Sequence, residues 1–171
     1  MGINPHARRK QAKASYDVMN TIDILIQTRT LLHGAVANLS ETEWLAIPDR
    51  FDNNIAWNVG HINVVQQSLI YRLSGLPTYS EKVHAKMYLP NTSPATWAEL
   101  GVQPDIPLLI EQTATFAELL KQDYEAGKFE QFNAYTTGTG TQMNSVEDAI
   151  AFNNFHEGLH LGMILSIRNL I

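Results

Sequence analysis

Near the end of the chain stands His156-Glu157-Gly158-Leu159-His160, inside a long stretch of helical periodicity. Histidines at i and i+4 lie one above the other on a single helix face, so both imidazoles can reach one metal ion. The string also reads as H-E-x-x-H, the zinc-protease signature in which the Glu activates a metal-bound water. Two imidazoles leave a site open, and in those proteases the third ligand follows the second His. Here only Leu161 to Ile171 follow, without a single His, Glu, Asp or Cys. The pattern therefore argues against a zincin protease, and the missing ligand must come from an upstream helix.

Four other histidines could supply it. His6 falls in an expected N-terminal tail, His84 in a long connection, and His33 off the apolar stripe of the first helix. His61 lies on the stripe of the second helix, four residues after Trp57, where an imidazole would face the core. A buried imidazole is costly unless its nitrogens are satisfied, by a backbone carbonyl in an ordinary core histidine or by a metal here. The sequence thus nominates His61, His156 and His160 as metal ligands. Three imidazoles leave coordination positions for water or substrate, the arrangement of a catalytic site. Zinc is the first expectation, with nickel and iron as alternatives.

Glu157 is the candidate general base, about 100° round the helix from His156 and about 60° from His160. Its competing reading is a carboxylate facing solvent or standing behind the ligands. Asn153 could orient an imidazole or be an ordinary polar helix position. Trp57 and Tyr71 share the face of His61, as core residues or as walls of a substrate site. Gly158 and Gly162 each weaken a helix by about 1 kcal/mol relative to Ala, which points to close approach of another helix or a ligand.

These residues need long helices to position them, and the spacing predicts four: 16–38, 54–73, 106–126 and 146–169. Ser15, Asn53 or Asn54, Asp105 and Ser145 are the expected N-caps. The first stripe reads Val18, Ile22, Leu25, Arg29, Leu32, Val36 and Leu39. Ser40-Glu41-Thr42-Glu43 is a capping box for a short extra helix that stops near Pro48. Roughly 30 residues join the second and third long helices, which is long for a compact domain. That crossover contains signals for short helices at 80–87 and 93–101, and its length allows the two long helices to run parallel. Between the third and fourth, Tyr135-Thr136-Thr137-Gly138-Thr139-Gly140-Thr141 reads as a loop or short hairpin.

The bulk properties fit one domain over residues 1–171, with a flexible tail over 1–14. The chain has 171 residues, 44% hydrophobic and 17% charged, with a net charge of −5. That size buries a core without staples, and that charge disfavours a nucleic-acid surface. There are no cysteines, so disulfides, thiolate ligands and a protein-borne sulfur nucleophile are excluded. No apolar run approaches the roughly 20 residues of a membrane span, and the N-terminus reads as no signal peptide. A cytoplasmic location without membrane or nucleic-acid partners is the expectation. The end of the fourth helix, with Leu161, Met163, Ile164, Leu165, Ile167, Leu170 and Ile171, is apolar almost all round, which suggests a homodimer.

Asn58-Val59-Gly60-His61-Ile62 after a Trp, and His156-Glu157-Gly158-Leu159-His160-Leu161-Gly162-Met163-Ile164, resemble the motifs of the DinB/YfiT-like metalloenzyme family. The short helix from Ser40 and the long crossover also match, so the resemblance spans nearly the whole chain. One departure is Leu161, where many relatives carry a polar or basic residue. The resemblance implies an all-α four-helix bundle with a three-histidine site, commonly dimeric. It also implies a transferase that uses a low-molecular-weight thiol, with a metal-dependent hydrolase as the close variant. A stress-associated metal-binding protein without turnover is the alternative from another class.

Overall fold

A computed structural model of the protein describes residues 5–171, apart from the side chains of residues 5–17 and His84. Its long helices are α1 (Pro5–Val36), α3 (Ile55–Gln66), α6 (Ile106–Glu125) and α7 (Val146–Arg168). Short helices α2 (Glu41–Leu45), α4 (Lys82–Tyr88) and α5 (Ala95–Leu100) sit in the connections. Strands β1 (Tyr135–Thr136) and β2 (Gln142–Met143) pair as a small antiparallel hairpin. The expected all-α fold is the observed one.

Most of the punctuation works as capping chemistry requires. Asn54 accepts the Trp57 N–H at 2.8 Å, Asp105 that of Leu108 at 3.0 Å and Ser145 that of Asp148 at 3.2 Å. Ser40 and Glu43 form the reciprocal capping box, satisfying donors that a helix start leaves free. Gly127, at φ 70°, stops the chain after α6 in a conformation that a side chain disfavours. Two expectations change. The backbone is helical from Pro5, so Ser15 lies inside α1 rather than capping it, and 5–14 are helix rather than tail. Residues 1–4 and the His6 side chain lie outside the described part. The second long helix also leaves α-geometry at Gln67 and continues to Arg72 as a π-helix. The wider turn admits an extra residue, which re-aims everything after it.

Side-chain pairings fix the directions of the helices. Asn63 meets Leu109, Gln66 meets Phe116 and Tyr71 meets Asp123, so α3 and α6 run parallel. Thr21 meets Asn154 and Arg29 meets Glu157, so α1 and α7 also run parallel. Asp23 with Lys121 and His160 with Asn58 show that the two pairs oppose each other. The crossover that contains α4 and α5 is what lets α3 and α6 share a direction.

Every residue of α3 from Ile55 to Gln66 is buried, because α4 covers the side that the other bundle helices leave open. The apolar interior falls into two clusters. One holds Leu32, Trp44, Trp57, Ile62, Tyr88, Trp97, Leu109, Ile164 and Ile167. The other holds Ile22, Leu25, Ile70, Tyr71, Leu120, Met143 and Ile150. A polar layer divides them. Arg29 of α1 donates to both carboxylate oxygens of Glu157 of α7, from Nε at 2.6 Å and Nη2 at 2.7 Å. The same guanidinium donates to Asn63 and, at 2.9 Å, to Gln66 of α3. Their amides in turn donate to the Leu109 and Phe116 carbonyls of α6. One guanidinium therefore ties all four long helices together.

Arg29 and Glu157 are 2% and 1% exposed, which sets the cost of separating them. Removing one charge strands the other in the core, and such losses cost about 3–5 kcal/mol. Replacing both by apolar groups of similar size strands no charge, only the neutral amides of Asn63, Gln66 and Asn153. Urea unfolding should therefore show Arg29→Met as severely destabilised, with the Arg29→Met/Glu157→Leu double variant recovering most of the loss. A single variant within about 1 kcal/mol of the parent would show that the layer is not tightly coupled.

Candidate metal centre

His61 projects from α3, and His156 and His160 from successive turns of α7. Their candidate ligand atoms all lie within 4.8 Å of one another. Ring centroids are separated by 5.1 Å for His61 and His156, 4.7 Å for His61 and His160, and 4.5 Å for His156 and His160. Zinc–nitrogen bonds of about 2.0–2.1 Å in a tetrahedron put ligand atoms about 3.3 Å apart, so modest ring rotations suffice. The histidines expected from spacing are the histidines the fold brings together.

Two of the rings are already set for a metal. Nδ1 of His61 lies 2.6 Å from the carbonyl oxygen of Tyr88. A carbonyl only accepts, so Nδ1 carries the proton and Nε2 keeps its lone pair. Nδ1 of His160 lies 2.8 Å from Oδ1 of Asn58, whose own amide donates to the Asn54 carbonyl at 2.8 Å. That fixes the Asn58 oxygen toward the ring and the His160 tautomer with it. Polar partners behind the ligands are how proteins orient metal-binding imidazoles. The buried Nδ1 of His156 has no partner among the described residues. This set of donors fits a divalent metal.

Packing holds the same geometry. Trp57 stacks on His61, with centroids 4.5 Å apart and planes within 13°. Its indole N–H donates to Thr92 at 3.0 Å, which ties it to the crossover. Gly60, next to His61, lies against the Tyr88 ring, and a Cβ there would sit 2.5 Å from it. No larger residue fits while Tyr88 keeps its carbonyl on His61.

Burial and mutual repulsion keep the cluster uncharged. Burial, then the nearby His160, His61 and Arg29, pushes His156 down to about 3. Burial and His61 bring His160 to about 4. Burial also lowers His61, against an opposing contribution from the Tyr88 carbonyl. Neutral imidazole is the ligand form, so protons compete with a metal only in acid.

The remaining nominated residues take other places. Glu157 was expected as a general base or as a carboxylate outside the ligand set. Both its oxygens accept from Arg29, and Oε1 also accepts from Asn153 at 2.8 Å. Asn153 therefore steadies Glu157 rather than an imidazole. Tyr71 donates to Asp123 at 3.0 Å, in the second apolar cluster, and is no wall of this site. His33 is exposed, and the His84 side chain lies outside the described part. Among the described residues a Cβ on Gly158 or Gly162 would meet nothing within 4 Å, so none of them approaches closely there. Asn58 was missed as a partner of His160, although it stands one turn before His61 in the same buried helix. The Tyr88 contact is made by backbone and leaves no mark on residue type.

A four-helix bundle whose α3 contributes one histidine and whose α7 contributes two, i and i+4, gathers three rings that could hold a metal ion. The profile of the DinB superfamily matches residues 24–164, and the chain belongs to that superfamily. A search of curated proteins finds no match.

His160→Ala should abolish stoichiometric metal binding, whereas His84→Ala should leave it intact, as read by elemental analysis of untagged protein. Because the ligands bridge two helices, metal should also raise the parent's melting temperature but not that of His160→Ala. Retained metal in His160→Ala would refute the assignment.

The pH dependence of the metal-free protein follows from the lowered imidazoles. Unfolded histidines take up protons below about 6.5, while the folded ones resist until near 4 and 3. Stability is therefore full above about 6.5 and falls as pH drops from there through 4 toward 3. In chelator, a His156→Gln/His160→Gln variant should show a flatter decline of melting temperature over this window. Parallel curves would show that these rings are not what titrates.

Proposed function

We propose that the protein is a metal-dependent transferase that uses a small-molecule thiol as cosubstrate. The observation that carries this reading is the combination of three preset imidazoles with a Glu157 whose carboxylate is fully engaged by Arg29 and Asn153. A divalent ion bound there, zinc first and nickel or iron as alternatives, would supply Lewis acidity that favours a thiolate or hydroxide at neutral pH. Hydrolysis calls for a base to take a proton from water, and the engaged Glu157 is poorly placed to serve. A thiolate needs no such partner. The chain has no cysteine, so the sulfur must arrive with a cosubstrate. His156 and His160 are only partly buried, and His160 borders a pocket of about 640 Å³, which suits ligand entry better than a sealed metal store.

In the proposed reaction an S–C bond forms as the bond from carbon to the leaving group breaks. The thiol proton passes to solvent, and the leaving group departs with the electron pair. Asn58 and the Tyr88 carbonyl hold the imidazole tautomers, and Trp57 holds the plane of His61.

Metal-stripped protein reloaded with zinc or nickel, then mixed with a thiol and an aryl halide, should give a conjugation rate that needs metal and His61. Turnover that needs metal but not thiol would establish the hydrolase instead. Bound metal with no turnover across a panel of thiols and electrophiles would leave a metal-binding protein without catalysis.

A homodimer is the second element of the proposal. Phe155, Leu159 and Met163 recur at four-residue steps on α7 and are 58%, 57% and 44% exposed. Ile24 and Leu31 of the parallel α1 are exposed as well, and Gly158 and Gly162 leave open space between the apolar side chains. A two-fold copy would cover this face. Light scattering at micromolar concentration should give twice the chain mass, with Leu159→Glu reverting to monomer. A monomer mass for the parent would rule the dimer out.

A further inference from the structure

The exposed face of α7 is free of charge over most of its length. From Ala151 to Ser166 no exposed residue of that helix is Asp, Glu, Lys or Arg. The same holds for α1, which lies parallel alongside, from Ile24 to its end at Val36. By contrast α6 exposes Glu111, Glu118 and Glu125, as a solvated helix face does. A chain of net charge −5 thus keeps one two-helix surface neutral, and Ile24, Leu31, Phe155, Leu159, Met163 and Leu165 make it apolar. A two-fold axis sets a surface against its own copy, so any charge on it would meet its like. This is the face that a second copy covers without repulsion, whereas a charged partner finds nothing here to pair with.

Phe155, Leu159 and Met163 form a ridge along α7 at i, i+4 and i+8. Beside it Gly158, Gly162 and Ser166 form a low row of the same spacing. Ridges of this spacing pack into such grooves on a facing helix. Equal steps also make the ridge symmetrical about Leu159. An antiparallel copy therefore brings Leu159 to its own counterpart and sets Phe155 of each chain against Met163 of the other. Met163 is at the same time a wall of the pocket of about 640 Å³ that His160 borders, with Gly162 and Ser166 along the same edge. The neutral face runs directly into the candidate site.

We infer that, in the homodimer proposed above on which this rests, the second copy completes that pocket. Its Phe155 closes the edge at Met163 through a sulfur–aromatic contact. With Trp57 already on the wall, the completed space takes a substrate that carries an apolar group. Phe155 is a specificity-determining residue that acts across the interface, and assembly regulates access to His160. The coupling is reciprocal, so an occupant of the pocket tightens the dimer in turn.

Because the chain has no cysteine, the register is testable one thiol at a time. Under diamide oxidation Leu159→Cys should form a linked dimer and Met163→Cys alone should not, while a mixture of Met163→Cys with Phe155→Cys should crosslink. Closure is read without metal from Asp52→Cys, on the loop side of the pocket. A maleimide should modify it about tenfold more slowly than Asp52→Cys/Leu159→Glu, an ordinary size for such a coupling. In cobalt-loaded protein, Phe155→Ala should weaken benzyl mercaptan by about tenfold and leave 2-mercaptoethanol unchanged. Excess His160→Ala, itself without a site, should restore that affinity by lending an intact Phe155 in the mixed dimer.

A monomer mass for the parent overturns this inference together with the dimer. A dimer whose Asp52→Cys reacts as fast as the monomeric variant overturns the shared pocket and leaves the dimer standing. Failure of His160→Ala to rescue Phe155→Ala shows that Phe155 acts within its own chain, and overturns the inference too. Protection of Asp52→Cys in protein that takes up no cobalt upholds the shared pocket and refutes the metal centre.

Discussion

The Arg29–Glu157 pair is the constraint on which the remaining geometry rests. A bidentate ion pair in the core cannot slide or rotate, because any displacement leaves a charge without water or partner. It therefore fixes both the height and the rotation of α7 against α1. His156 and His160 lie about 100° and about 60° round the helix from Glu157, on the same side. Pinning Glu157 toward α1 turns both imidazoles toward α3. The same guanidinium holds Asn63 on α3, half a turn beyond His61, so the two halves of the candidate centre share one anchor.

Dividing the interior into two apolar clusters has an energetic meaning as well. Leucine-rich cores tolerate shifted packings, since dispersion contacts are similar in many arrangements. A polar layer that is satisfied in one register only discriminates against those alternatives. Asn63 and Gln66 pass hydrogen bonds on to backbone carbonyls of α6, which extends the discrimination to the fourth helix. The three-histidine cluster sits immediately beside this layer, with His156 next to Glu157 in sequence.

Much of this was legible in the sequence. The caps at Ser40, Asn54, Asp105 and Ser145 identify themselves through local side-chain chemistry, and each acts as expected. The i,i+4 histidine pair and a stripe-facing His61 suffice to nominate the three rings that converge. Arg29 was visible as the one charge on an apolar stripe, yet nothing in its own helix says that Glu157 is the partner, 128 residues away. Glu157 was read from its neighbours in sequence, which suggested a metal-facing role, whereas the tertiary pairing decides its orientation. Periodicity also says little about α3, because a helix buried on every side has no polar face to mark its rotation. The start of α1 was placed too late because Ser15 looks like a cap; helix continuity upstream overrides it.

The hydrogen bond from His61 ends on a main-chain oxygen, and this changes where selection can act. No substitution at position 88 deletes that acceptor, although the Tyr88 ring is itself buried and packs edge-on against Trp97. Position 60 is exposed to selection as well, because the missing Cβ of Gly60 leaves the space that the Tyr88 ring fills. In such a fold the genetic signature of a positioned imidazole is written as the absence of an atom.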